Sequence, residues 1–115
     1  MSPDVEELID DSLRRALEIQ EFVRGISFED YQDDSKTKLA VERSFEIIGE
    51  NLNRIKRFDR KVLDSIGDHR AIISFRNILA HAYDSVEDRI VWGIVISDLP
   101  KLIEDFRRVL KYPIG

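Results

Sequence analysis

The chain contains no cysteine and only two histidines among its 115 residues. It therefore has no disulfide framework and no thiolate metal ligands, and two imidazoles are too few for a histidine-based zinc site. No cofactor is expected. No apolar run approaches the roughly 20 residues that a membrane-spanning helix needs. The N-terminus lacks the basic-then-apolar pattern of a secretory signal, so a cytoplasmic protein without membrane contact is predicted. Strand-type alternation, repeats, low-complexity stretches and long linkers are also missing. Nor is there a glycine loop for nucleotide phosphates, a carboxylate pair at catalytic spacing or a Ser-His-Asp grouping.

What is present is helical periodicity. Hydrophobic residues make up 43% of the chain, enough for the core of one domain spanning residues 1–115. Ser2 and Pro3 open a run with Val5, Leu8, Ile9, Ser12, Ala16, Leu17 and Val23 near helical spacing, and Gly25 is placed to stop it. Ser27 to Tyr31 reads as a capped single turn, with Asp33, Asp34 or Ser35 available to cap the next helix. There Val41, Phe45, Ile48, Leu52 and Ile55 step by four and three, an apolar stripe over four turns. Gly49 inside that stripe points to close approach of a neighbouring helix.

A short turn around Val62, Leu63 and Ile66 ends at Gly67, after which Asp68 is placed to cap a further helix. Asp84 and Ser85 bracket the turn that follows it. Ile90 to Ile96 is apolar nearly all round, as expected in a bundle interior or at a subunit contact, with Trp92 the largest contributor. Pro100 should kink or restart the helix, and Leu99, Leu102, Ile103, Phe106, Val109 and Leu110 form a last stripe ending before Tyr112 and Pro113. The fold class is all-α: an antiparallel, up-down-up-down bundle of four main helices with short additional helical turns.

One segment carries chemistry: Arg76-Asn77-Ile78-Leu79-Ala80-His81-Ala82-Tyr83. At about 100° per residue, with Arg76 as origin, Ala71, Ile72, Phe75, Ile78, Leu79 and Ala82 gather in one sector, the expected core face. Tyr83, Arg76, Asn77 and His81 fall opposite, with Ala80 forming a shallow floor between them. Arg offers a permanently charged fork that matches phosphate oxygens, and His, with an unperturbed pKa of about 6.5, can take and give a proton near neutrality. Such a set fits metal-free phosphodiester cleavage, in RNA through attack by the ribose 2′-hydroxyl. One His does not easily serve as both base and acid, and a two-fold dimer would supply the second. The same Arg and His are also what an ordinary ion-paired or solvated helix face looks like. His69 stands in a loop by this reading, exposed or as a cap contact, and Tyr31 has no organised company.

The net charge of −5 is unevenly spread: residues 1–34 hold eleven acids against three bases, which leaves +3 for the rest. Arg54, Lys56, Arg57, Arg60 and Lys61 form a dense basic stretch, opposed locally only by Asp59. It could hold RNA backbone, and a solvated basic turn between helices would look the same.

The string RNILAHAY matches the RxxxxHxY signature of the HEPN superfamily and resembles that of HepT-type toxins. Ala40-Val41-Glu42-Arg43 through Ile47-Ile48-Gly49-Glu50 resembles the long second helix of that family, and Val91-Trp92 with Asp98-Leu99-Pro100 resembles its closing segment. The resemblance implies a small helical, metal-independent endoribonuclease that works as a homodimer. Arg76 and His81 would line a cleft between the subunits, with Asn77 in support. It implies that Tyr83 holds the place of the tyrosine that some members have AMPylated by a minimal nucleotidyltransferase antitoxin encoded beside the toxin. Where many relatives carry a Pro-Trp pair before the motif helix, this chain reads Ile66-Gly67-Asp68-His69-Arg70. Bundles of this kind also serve as non-catalytic partners or substrate-binding subunits of nucleotidyltransferases, which is the second expectation.

Overall fold

A computed structural model describes residues 1–81 and 87–111 of the chain. Those residues form α1 (Pro3–Phe22), α2 (Phe28–Asp33), α3 (Ser35–Phe58), α4 (Arg60–Asp64), α5 (His69–His81), α6 (Asp88–Ser97) and α7 (Leu99–Leu110), with no strand among them. The all-α expectation holds. The long elements are α1, α3 and α5, and the pair α6–α7 takes the place of the fourth. The expected turn at Asp84 and Ser85, together with Tyr83, Tyr112 and Pro113, lies outside the described residues.

Local chemistry explains most boundaries. The Ser2 hydroxyl accepts from the Val5 amide at 3.3 Å and starts α1, while Gly25 adopts a positive φ of 73° in the turn beyond it. Ser27 and Asp30 form a reciprocal capping box on α2. Asp34 accepts from the Thr37 amide at 3.1 Å to start α3, whose last turn carries Lys56 and Arg57 against the negative end of its dipole. Asp59 ends α3 and caps α4 through the Val62 amide, 3.2 Å away. Pro100 has no amide to donate to Ile96, so α6 stops at Ser97 and α7 starts two residues later, the predicted restart.

The middle layer is α3, packed on α1 along one side and α5 along another, with α7 closing against α1. Val41, Phe45, Ile48, Leu52 and Ile55 of α3 are fully buried, as their four-three stepping requires. They meet Val5, Ile9, Leu13, Ala16 and Ile19 of α1, Ile72 and Phe75 of α5, and Leu99, Leu102 and Phe106 of α7 in one core. The α1–α3 seam also holds a polar contact: Asn51 Nδ2 donates to Asp11 Oδ2 at 2.9 Å and to Ser12 Oγ at 3.1 Å. Both acceptors stand on α1, so the pair of bonds sets the register of the two helices.

Tyr31 corrects the sequence reading, which left it without company. It is fully buried, with its ring 5.3 Å from that of Trp92, which in turn lies 6.1 Å from Phe28. Burial, and then the carboxylates of Glu42 and Asp88, push the Tyr31 hydroxyl well above its ordinary pKa. Aromatic residues from two helices met here across 61 positions of sequence, a pairing that local spacing does not encode. Lys38 joins the same corner by an ion pair to Asp88 at 3.2 Å, tying the start of α3 to the start of α6. On α6 only Val91 and Val95 are buried, and Ile90 and Ile96 remain more than half exposed. No helix among the described residues is long and apolar enough to cross a membrane.

Candidate active site on helix α5

Helix α5 is held at its entrance by α7. Asp105 Oδ2 accepts from the Gly67 amide at 3.0 Å, and Arg108, itself paired with Asp105 at 2.6 Å, donates to the Ser65 carbonyl. Asp68 contributes its backbone carbonyl, which accepts from the Ile72 amide at 3.1 Å. The sequence signals pointed to Asp68 alone and gave no hint of Asp105 or Arg108, which are about forty residues away.

His69 is the first residue of α5 and is buried, which corrects its expected placement in an exposed loop. Its Nδ1 is enclosed without a hydrogen-bond partner, and Nε2 lies 3.7 Å from Asp64 Oδ1. Burial lowers its pKa. The Asp64 carboxylate opposes that shift, and Arg70, Arg60 and Lys56 add to it. A histidine whose pKa is lower folded than unfolded resists protonation in the native state. Its contribution to stability is intact above the unfolded value of about 6.5 and is lost as pH falls below it. Thermal midpoints measured from pH 7.5 down to 5 should therefore decline more steeply in wild type than in His69→Gln, and parallel curves would remove His69 as the cause.

The burial pattern of α5 is rotated from the expected one. Ile72 and Phe75 are buried and Leu79 partly so, but Ile78 is 54% exposed and Ala71 is exposed as well. Both had been assigned to the core face. They lie at the far edge of that sector, away from α3, the helix that packs most extensively on α5 among the described residues. On the opposite edge burial extends past Leu79 to Arg76 and Ile73, both half-buried, while Ala80 is exposed. Asn77 and His81 are exposed.

Arg76 is thus rooted in the α3–α5 seam rather than on the open face. Its Nε is enclosed and lacks a hydrogen-bond partner, and Nη1 donates to Asn77 Oδ1 at 3.2 Å. Arg76 and His81 are five residues apart, so their side chains leave α5 about 140° apart. Asn77 projects between those directions and already touches the guanidinium. Tyr83 lies outside the described residues.

The basic residues divide. Arg54, Lys56, Arg57, Arg60 and Lys61 are all exposed. Arg60, however, pairs with Asp64 at 3.1 Å, and Arg54 lines a shallow cleft with the acidic Asp4, Glu7 and Asp11 of α1. Lys56 lies close enough to His69 to act on its charge, which sets the end of α3 beside the start of α5. Arg76 follows His69 by seven residues, or about 10 Å along the same helix face.

Comparison with known proteins gives the lineage. The family model described as ribonuclease HepT-like matches residues 12–109, nearly the whole chain. The chain belongs to the HepT-like ribonuclease family. A relative named "Probable ribonuclease HepT" from Thermococcus cleftensis is 41% identical over 93 residues, covering 81% of this chain and 84% of the relative. Two further relatives have names that carry the words "Putative RNase". One, from Caldanaerobacter subterraneus subsp. tengcongensis, is 33% identical over 79% of this chain and 80% of its own length. The other, from Methanocaldococcus jannaschii, is 30% identical over 86% of this chain and 90% of its own. No solved structure gives a significant match. The HepT-like match includes all of α3 and α5, the two helices that meet at Arg76.

Proposed function

We propose that this protein is a metal-independent endoribonuclease of the HepT kind, acting as the toxin of a toxin–antitoxin pair. Arg76 and His81 are its catalytic residues, and Asn77 holds the guanidinium. The observation that carries the reading is the state of Arg76: a permanently charged group rooted in a helix seam, with an enclosed Nε that has no partner and with Nη1 on Asn77. Membership of a ribonuclease family supports phosphodiester RNA as the substrate.

In the reaction the ribose 2′-oxygen forms a bond to phosphorus while the bond from phosphorus to the 5′-oxygen breaks. A base removes the 2′-hydroxyl proton and an acid protonates the leaving 5′-oxygen, which leaves a cyclic phosphate on one fragment and a 5′-hydroxyl on the other. His81 fills one of these proton-transfer roles. Arg76 stabilises the charge that develops on the phosphoryl oxygens.

Separation of Arg76 and His81 by about 140° around one helix favours a site completed by a second copy of α5 across a two-fold axis, which would supply the other imidazole. Exposed Ile78 on the His81 side of α5 offers apolar surface for such pairing. Lys56, Arg57 and Lys61 are then the cations best placed to hold RNA backbone, with Arg54 and Arg60 drawn partly toward acids of their own chain.

Tyr83 follows His81 by two residues. Adenylyl groups added there by a partner nucleotidyltransferase would bring negative charge and bulk into the path of RNA and so neutralise the toxin.

Purified protein incubated with RNA in EDTA should cut it. Failure to cut would leave the chain as a non-catalytic partner of the nucleotidyltransferase. Co-expression with a cognate minimal nucleotidyltransferase should add mass in AMP increments. A Tyr83→Phe variant that still gains that mass would remove Tyr83 as the acceptor.

A further inference from the structure

Arg76 leaves α5 on the side where α3 passes, and at that point α3 has no side chain. A Cβ placed on Gly49 would stand 2.3 Å from Arg76 Cβ and 2.7 Å from Arg76 Cγ, with the Ile72 carbonyl oxygen at 3.3 Å. Non-bonded carbons settle at roughly 3.5–4.0 Å, so even a methyl group has no room. The first two side-chain carbons of Arg76 therefore rest directly on the backbone of α3.

Glycine is unfavourable in a helix interior relative to alanine, and α3 contains only this one. Close packing of two helices needs a small residue where backbones or core side chains meet. Here the two nearest atoms belong to the one arginine that the chemistry uses. Further out along the same side chain, Nε is enclosed and Nη1 is on Asn77. Contact on Cβ and Cγ from one side, and the Asn77 bond at the tip, leave the guanidinium little freedom.

We propose that Gly49 is a positioning residue for the reaction: the bare backbone it gives α3 seats the Arg76 stem and so fixes where the guanidinium meets the phosphate. The inference rests on the nuclease reading of Arg76. A methyl group at position 49 must push the stem or the two helices apart, and displacement of a catalytic group by about 1 Å can cost on the order of 100-fold in rate.

The test uses the full chain with Gly49→Ala, Arg76→Ala and the double variant, each checked by circular dichroism at the assay temperature. Gly49→Ala should lower kcat for RNA cleavage by about 100-fold and leave KM nearly unchanged. The double variant should be no slower than Arg76→Ala alone, because the misplaced group is already gone. Effects that multiply in the double variant would mean that Gly49 serves stability only, and would overturn the proposal.

A second readout needs neither cleavage nor a folded variant. In wild-type protein the Arg76 Nε–H should exchange with solvent far more slowly than that of exposed Arg57. Equal exchange rates would overturn the pinned guanidinium. Wild-type protein that cuts no RNA but still protects this proton would refute the nuclease reading while leaving the seating of Arg76 by Gly49 in place.

Discussion

Substituting Ala for His81 is expected to slow RNA cleavage by roughly 10²–10⁴-fold, the range that a positioned proton-transfer group contributes. The residue is exposed at the end of α5, so the variant should fold and melt as wild type does. Arg76→Ala should cost about 10²–10³-fold, the scale for loss of one charge-stabilising donor. Arg76→Lys should recover only part of it, because an ammonium lacks the planar fork that matches two phosphoryl oxygens. If the two groups work on one phosphate, the double variant will be far less impaired than the product of the single losses. Initial rates on a fluorescent RNA in EDTA measure all of these. A His81→Ala protein that cuts at the wild-type rate would end its catalytic assignment.

Phe45→Ala is expected to produce the largest change in stability, about 3–5 kcal/mol by the cost of deleting a buried aromatic ring. Phe45 is fully buried and packs edge-on against Phe75 at a centroid distance of 5.4 Å. That pair is the aromatic centre of the α3–α5 seam, one turn of α3 before Gly49. Native domains are stable by only about 5–15 kcal/mol, so this single change approaches the whole margin. Urea denaturation followed by circular dichroism should show the midpoint fall steeply. A shift under about 1 kcal/mol would mean that the seam collapses to fill the space and contributes less than its burial implies.

The fold was legible where one helix decides its own burial. The stripe from Val41 to Ile55, the caps Ser2, Ser27 and Asp34, and the restart at Pro100 all follow from spacing and backbone chemistry. Legibility failed where a second helix decides. Hydropathy put Ile78 in the core and Arg76 on the open face, yet Ile78 is exposed and Arg76 half-buried. Burial on α5 depends on where α3 runs, and α3 runs on the arginine side because Gly49 lets it. The glycine was visible as a point of close approach, but the residue that approaches it was not. Tyr31 was misplaced for a similar reason: the Trp92 ring that packs on it comes from α6, 61 residues further along the chain. The motif itself needed no fold to be noticed, since an Arg and a His interrupting an apolar run stand out in any frame.

Asp105 and Arg108 hold the backbone at Ser65 and Gly67 from 38 and 43 residues downstream. The entrance to the helix bearing Arg76 and His81 is thus latched by almost the last residues described. A chain still emerging from the ribosome, or one clipped before residue 105, would contain the whole motif but lack the latch that orients it.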